Sequence, residues 1–353
     1  MSTRASLVAR VLSSAWYRAP LPLDISIHEL NRITPLLLGS GAGSLGWHRI
    51  RYSHLKTEKS AGDLQQAYRK HTLEAALHES HIKQSFSLLR DAGIEPILVK
   101  GWSIARQYPE KGLRPYDDVD LIVRPEEQAS AQSLISAVES LQGYVDIHCG
   151  LSAVDPVDAN GDWNSKTQLV MLGDLEVRIL KPEENLRTLC LHLLRHGAFR
   201  PLWLCDIAVA VESRGQDFDW DRCLSSNKRV ADWVASTIAL AHKVLGARIE
   251  DTPIQQRTKS LPSWLPKSVL EQWERPFSKS HGVARHRAPM ASYLTNPSGL
   301  LSDLRARWPN PIEATIYMRG SFNALPRWPF QVGECVGRTM KFVTRLPKTV
   351  RER

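Results

Sequence analysis

The stretch Asp118-Val119-Asp120-Leu121-Ile122-Val123 decides the fold. Two acids alternate with an apolar residue and lead into a continuous apolar run, a pattern that predicts a strand entering a buried core. Because side chains alternate along a strand, both carboxylates project from the same face. Like charges on one face repel, and a divalent cation is the usual means of offsetting the repulsion. Carboxylate oxygens suit Mg²⁺ or Mn²⁺; a solvated strand end with two unrelated acids is the alternative.

The neighbouring segments favour the metal site. Upstream, Ile97-Leu98-Val99 is a strand candidate followed by Lys100-Gly101 and a short helix. A glycine at a strand-to-helix turn lets backbone N–H groups approach a phosphate. Downstream, the strand candidate from Tyr144 to Cys149 carries Asp146. If this strand pairs beside the first, three carboxylates converge, and such a set can hold two metal ions roughly 3.5–4 Å apart.

Composition limits the class of protein. The chain has 353 residues, of which 42% are apolar and 24% charged, so disordered, collagen-like and disulfide-scaffold classes are excluded. No uncharged apolar run approaches the ~18 residues of a membrane span.

The net charge is +9, and residues 302–353, with 10 basic and 4 acidic side chains, supply +6 of it. Such a segment attracts phosphates, nucleic acid or anionic lipid, with a solvated tail as the alternative. Five scattered cysteines predict a reducing, cytoplasmic location.

The order of these motifs resembles that of the DNA-polymerase-β-like nucleotidyltransferase superfamily, and most closely its branch of largely uncharacterised bacterial nucleotidyltransferases. The resemblance covers roughly residues 20 to 240. Besides the strand at 118–123, it rests on Gly93-Ile94, Ile97 to Gly101, Tyr108-Pro109, Leu113-Arg114-Pro115, Val145 to His148, Leu180 to Glu183, Cys190-Leu191-His192, His196, Trp203 to Ala208 and Asp219-Trp220-Asp221.

The resemblance implies metal-dependent transfer of a nucleoside monophosphate from an NTP, AMP from ATP being our first choice, to a hydroxyl of an unknown small-molecule or peptide acceptor. Pyrophosphate is released. Asp118, Asp120 and Asp146 would be the catalytic residues and the ligands of Mg²⁺ or Mn²⁺, and Asp146 could also take the proton of the acceptor. Glu176, on the later strand candidate from Leu175 to Leu180, competes for the third place. The nucleotide-binding candidates are Lys100, Gly101, Trp102, Ser103, Arg114, His192 and His196.

Each of these binding candidates has an alternative interpretation. Lys100 and Arg114 could neutralise triphosphate charge or be surface cations. The superfamily usually has Gly-Ser or Gly-Gly at the turn, whereas here Trp102 follows Gly101 and could crowd the phosphates; Ser103 could supply the hydroxyl.

The histidine pair His192 and His196 and the acid Asp206 each allow two interpretations. His192 and His196 lie four residues apart on one helix face and could line the cleft or form a core pair, while zinc lacks a third ligand. Asp206 is a lone acid in an apolar helix and should pair with a histidine or an arginine. The glycine-rich stretch from Gly39 to Gly46 lacks a preceding strand and a Lys-Ser/Thr ending, so we predict a helix connection there.

The predicted fold class is α+β (mixed), a small nucleotidyltransferase-type sheet flanked by helical regions. We divide the chain into an N-terminal helical region (1–90), the catalytic domain (91–180), a helical domain lining the cleft (181–250) and a loop-rich basic region (251–353).

Two functions compete with the main hypothesis. The basic tail could hold RNA, which would make the protein an RNA- or tRNA-directed, or toxin-like, nucleotidyltransferase; nucleic acid is possible as a partner but not favoured. The other alternative is a catalytically inactive nucleotide-binding scaffold, supported by the departure at Trp102.

Overall fold

A computed structural model describes residues 3–150, 163–274 and 308–351. Its centre is a five-stranded sheet in the order β3-β2-β1-β5-β4. The strands are β1 (Ile97–Val99), β2 (Val119–Val123), β3 (Val145–Cys149), β4 (Thr167–Leu172) and β5 (Leu175–Leu180). β2 pairs with β3, and β1 with β5, in parallel, whereas β1–β2 and β4–β5 are antiparallel. The prediction of a mixed α+β fold is therefore confirmed.

Helices precede, interrupt and follow the sheet. The first four are α1 (Arg4–Leu12), α2 (Ile27–Gly39), α3 (Gly43–Ile50) and α4 (Lys59–Asp91). Between the strands lie α5 (Gly101–Ala105), α6 (Gln128–Ser136) and α7 (Trp163–Lys166). After the sheet come α8 (Pro182–Arg195), α9 (Pro201–Glu212), α10 (Trp220–Leu224), α11 (Lys228–Leu245), α12 (Gln255–Ser260), α13 (Trp264–Trp273), α14 (Pro311–Tyr317) and α15 (Trp328–Arg351).

The two faces of the sheet differ, as strand alternation requires. One face carries Leu98, Leu121 and Val177, which pack in one apolar cluster with Phe86 of α4 and Ile135 of α6. The other face carries a much smaller apolar cluster, made of Ile97, Val99, Ile122 and Leu180. A larger core lies among the helices outside the sheet. Asp120 of β2, and Asp118 just before it, therefore project from the face that has few apolar neighbours.

Most predicted elements appear, with two differences. The strand β4 was not predicted; it forms a hairpin with β5, and Gly173 (φ +64°) lies in the turn. The spacing of apolar residues predicts a helix from Leu64 to Leu89 with Gly93 as its stop. The helix α4 begins five residues earlier, at Lys59, and ends at Asp91, with Gly93 in the left-handed conformation (φ +77°). Within the glycine-rich stretch, residues 40–42 connect α2 to α3, and Gly43 and Gly46 lie in the first turns of α3, so the predicted connection between helices is found. The four-part division of the chain stays a prediction.

A buried ion pair connects the loop before β2 to α9. The guanidinium of Arg114 donates two hydrogen bonds to Asp206, Nη2 to Oδ2 at 2.7 Å and Nε to Oδ1 at 3.1 Å. The Tyr108 hydroxyl donates to the same carboxylate at 2.9 Å. Asp206 is fully buried and Arg114 nearly so. Of the two partners expected for Asp206, the arginine is thus the one found.

Replacing Asp206 by Asn should lower the free energy of unfolding by about 3–5 kcal/mol, because it leaves the buried Arg114 guanidinium without a counter-charge. Urea denaturation of the purified variant measures this. Asp217→Asn is the matched control, since Asp217 is exposed, and should change stability by no more than about 0.5 kcal/mol. Equal losses in both variants would contradict a stabilising role for the Arg114–Asp206 pair.

Candidate active site

Three carboxylates meet at one end of the sheet. Asp120 lies on β2 and pairs in register with Asp146 on the parallel strand β3, while Asp118 directly precedes β2. One oxygen of each carboxylate lies within 4.8 Å of the other two. The alternation of β2 puts Asp118 and Asp120 on one face, and the register puts Asp146 beside them. The structure thus brings together all three acids that the sequence singled out.

Glu176, the competing third acid, lies elsewhere. In the parallel pair of β1 and β5, Leu98 is opposite Ile179. Lys100 follows Leu98 toward the carboxylate cluster, whereas Glu176 precedes Ile179 and so lies toward the opposite end of the sheet. Its side chain is exposed. This placement favours Asp146 over Glu176 as the third carboxylate.

The cluster is electrostatically uneven. Burial, together with the charges of Asp120 and Asp146, raises the pKa of Asp118. Burial would also raise the pKa of Asp120, but hydrogen bonds outweigh it and lower that pKa. They come from His148 Nε2 at 2.5 Å and from Lys100 Nζ at 3.2 Å, both to Asp120 Oδ1. One acid of the cluster, Asp120, is therefore held ionised by two basic side chains, while the pKa of its neighbour Asp118 is raised.

The turn between β1 and α5 has an unusual backbone. Lys100 has φ +53°, an uncommon value for a residue with a side chain, and Gly101 has φ +21°. A Cβ atom at Gly101 would lie 3.4 Å from the backbone oxygen of Asp118 and from the ring of Tyr116, an ordinary contact distance, so it is the positive φ that favours glycine here. Strained backbone of this kind concentrates at functional sites. Here it brings the Lys100 ammonium to the carboxylates.

Beside the carboxylates is a cleft of about 180 Å³. Its lining residues are Lys100, Gly101, Arg114, Tyr116, Asp117, Asp118, Asp120, Leu189, His192, Arg200 and Trp203. Trp102 and Ser103 are not among them, and both are buried. The ring of Trp102 packs in the apolar cluster of α4 and the sheet, so it leaves the cleft open.

The two predicted histidines occupy different positions. His192 lines the cleft, and its ring lies 4.5 Å from that of Trp203, edge to face. Burial and the nearby charges of His196, Lys100 and Arg114 lower the pKa of His192 to about 2. It is therefore neutral at physiological pH. His196 packs against His192 at 4.6 Å between ring centroids but does not line the cleft.

The cations also differ from expectation. Arg114 lines the cleft, but its charge is largely matched by Asp206. Arg200, which the sequence reasoning missed, lines the same cleft and has no carboxylate partner among the described residues; its Nε donates to the backbone oxygen of Ser40 at 2.9 Å. No local motif marks Arg200. His148 was also missed, although it lies two residues after Asp146 and therefore on the same face.

The carboxylate cluster fits a divalent metal ion. All three ligand groups are hard oxygen donors, which suits Mg²⁺ or Mn²⁺ better than softer metals. Burial and the charges of Asp120 and Asp146 raise the pKa of Asp118, and a bound cation would offset the repulsion among the three carboxylates. A second, larger cleft of about 430 Å³ between α13 and the start of α15 has a single carboxylate, Glu271, in its lining. It offers no comparable metal site.

A family model described as uncharacterised nucleotidyltransferase matches residues 44–144 and 139–246, more than half of the chain. The chain belongs to this family. The match confirms the resemblance drawn from the motifs, and the carboxylate cluster lies within the matched residues. No curated protein and no solved structure matches the chain. Within the described ranges, no helix has the length and apolarity to cross a bilayer.

Adding Mg²⁺ or Mn²⁺ should raise the melting temperature of the full chain, because an ion that binds only the folded state stabilises it, by about 2.7 kcal/mol at 100 times its Kd. Differential scanning fluorimetry with and without a chelator measures this. Asp146→Asn should reduce the shift, whereas the control Glu176→Gln should retain it. The same shift in both variants would mean that the ion binds away from the cluster.

Proposed function

We propose that this protein transfers a nucleoside monophosphate from an NTP to a hydroxyl of an acceptor and releases pyrophosphate. One observation carries the proposal: three carboxylates converge beside a strained glycine turn, and two of them, Asp118 and Asp120, line a cleft that also holds cationic side chains. Family membership supports the reaction class. ATP is the NTP that we test first, and the acceptor is a small molecule or peptide.

The reaction forms a bond between the acceptor oxygen and the α-phosphorus and breaks the bond from that phosphorus to the bridging oxygen of pyrophosphate. The hydroxyl proton passes to a carboxylate, and Asp146 is our choice because it is exposed beside the other two acids. Divalent ions bound to the three carboxylates would stabilise charge on both oxygens. Asp120, held ionised by His148 and Lys100, is ready to bind a cation.

The chain supplies three groups for the triphosphate. Gly101 lines the cleft without a side chain, so phosphate oxygens can approach the backbone there. Lys100 and Arg200 both line the cleft, one from the turn after β1 and one from the residue before α9. Arg200 is the stronger candidate for phosphate binding, because no carboxylate of the described residues competes for it and its Nε is anchored on Ser40.

His192 is suited to a neutral part of the nucleotide. Since its pKa is lowered to about 2, it can accept a hydrogen bond from a ribose hydroxyl or a base amine without adding charge. Trp203 beside it offers an aromatic edge and face. We therefore assign His192 and Trp203 to the nucleoside rather than to the triphosphate.

The inactive-scaffold alternative is weakened by the position of Trp102. It drew its support from the expectation that this ring could crowd the phosphates, and the ring instead belongs to the apolar cluster behind the turn. The RNA-directed alternative depends on net charge alone and stays a prediction.

Asp118→Asn and Asp120→Asn should each lower the rate of nucleotidyl transfer by at least about 10²-fold, because each removes a negative group on which charge stabilisation depends. The assay incubates the protein with each of the four α-labelled NTPs and cell extract, and follows label into macromolecules and small molecules.

Glu176→Gln is the control for this assay, since Glu176 is an exposed acid at the other end of the same sheet, and it should keep wild-type activity. Circular dichroism verifies that the variants fold. Wild-type transfer by folded Asp118→Asn or Asp120→Asn would refute the proposal.

Arg200→Gln should raise the KM for the NTP about tenfold or more while changing kcat less, because a charge-assisted hydrogen bond to phosphate is lost. Steady-state kinetics on the acceptor fraction found above measures both constants. Arg69→Gln on the exposed face of α4 is the matched control. Unchanged KM in Arg200→Gln would remove this residue from the nucleotide site.

A further inference from the structure

The last described helix, α15, exposes a row of apolar side chains. Trp328, Val332, Val336 and Met340 follow one another at intervals of four residues. In the described part of the chain their exposed fractions are 64%, 40%, 57% and 64%. Residues four apart on a helix lie on one face, so these four form a continuous strip, which we call the apolar strip of α15. An exposed strip of this kind marks an interaction surface.

Another side of α15 packs against α14 and the residue that follows it. Gly333 and Gly337 face α14: a Cβ atom on them would lie 2.8 Å from Met318 Cε and 2.6 Å from Tyr317 Oη. Glu334, between them, is almost fully buried. The close approach that these glycines permit determines which side of α15 turns inward. The apolar strip is therefore held outward by packing on that side.

Positive charge follows the strip along the sequence. Residues 338–353 contain six cations and one acid. The cations are Arg338, Lys341, Arg345, Lys348, Arg351 and Arg353. Arg338 makes ion pairs with Glu334 and Glu313, so it also holds α15 on α14. The remaining five add to the positive charge at this end of the chain.

We propose that α15 binds the surface of an anionic lipid bilayer, lying in the plane of the interface. A helix with aromatic and aliphatic side chains on one face and clustered Lys and Arg is suited to that environment: the apolar face enters the acyl boundary and the cations meet the headgroups.

Neither of the other two candidate occupants satisfies both features. An RNA would match the cations but would leave Trp328, Val332, Val336 and Met340 in water. A second copy of this chain could cover the strip but would bring two tails of charge +6 together. An anionic bilayer supplies apolar area and negative charge in one surface. This inference does not rest on the proposed nucleotidyl transfer.

Vesicle flotation with the full chain tests the proposal. The chain should float with vesicles containing about one-third phosphatidylglycerol, bind far less to pure phosphatidylcholine, and lose binding as salt rises. The double variant V332S/V336S, which keeps every charge, should weaken binding by about tenfold or more, because two apolar groups are lost from the strip. The variant Trp328→Phe identifies the Trp328 contribution to fluorescence quenching by brominated lipid.

The matched control is L73S/L77S, which removes an exposed, four-residue-spaced apolar pair from α4, and it should bind vesicles like the wild type. Asp118→Asn should also bind normally, which separates this proposal from the catalytic one. Three outcomes would overturn it: no binding to anionic vesicles at low salt, equal binding by V332S/V336S, or a wild-type dimer in light scattering that V332S/V336S dissociates. Salt-dependent RNA binding without vesicle binding would likewise assign the tail to nucleic acid.

Discussion

The parallel pairing of β2 with β3 forces negative charges together, and much of the site depends on that constraint. Asp120 is opposite Asp146 in the register, and Asp118 precedes β2 on the same face. A shift of one residue would turn Asp146 and His148 to the apolar face and destroy the cluster. The register is maintained by the apolar alternation of the two strands, so the same pattern that builds the core also creates the repulsion.

That repulsion is only partly relieved by the chain itself. Lys100 and His148 both bond Asp120 Oδ1, whereas the pKa of Asp118 stays raised. Lys100 reaches its position through a positive φ, a backbone conformation that costs about 1–3 kcal/mol. The backbone strain at Lys100 and the crowding of the carboxylates are thus linked, because the strained residue supplies a cation to Asp120. Neither feature adds apolar packing, which favours a functional origin for both.

The features that depend on neighbouring residues in the sequence were predictable. Alternation placed Asp118 and Asp120 on one face, and the glycine at position 93 predicted the end of α4. Contacts distant in sequence were not predictable in the same way. Arg200 enters the cleft from the residue before α9, 80 residues after Asp120 and 54 after Asp146, and nothing in its neighbouring sequence indicates this. Arg114 was expected either to neutralise phosphates or to be a surface cation, but it is buried and makes an ion pair with Asp206, which is also distant in sequence.

The basic tail shows where sequence reasoning ends for a physical reason. Its charge of +6 attracts phosphates, nucleic acid and anionic lipid alike, because Coulomb attraction does not distinguish among them. What distinguishes them is whether apolar area accompanies the charge, and exposure is a property of the folded chain. Gly333 and Gly337 admit α14 on one side of α15 and so leave Val332 and Val336 on the outside. The positive charge alone would suit several kinds of partner. Because packing also leaves an apolar strip exposed, the partner that fits both features is a surface that is both anionic and apolar.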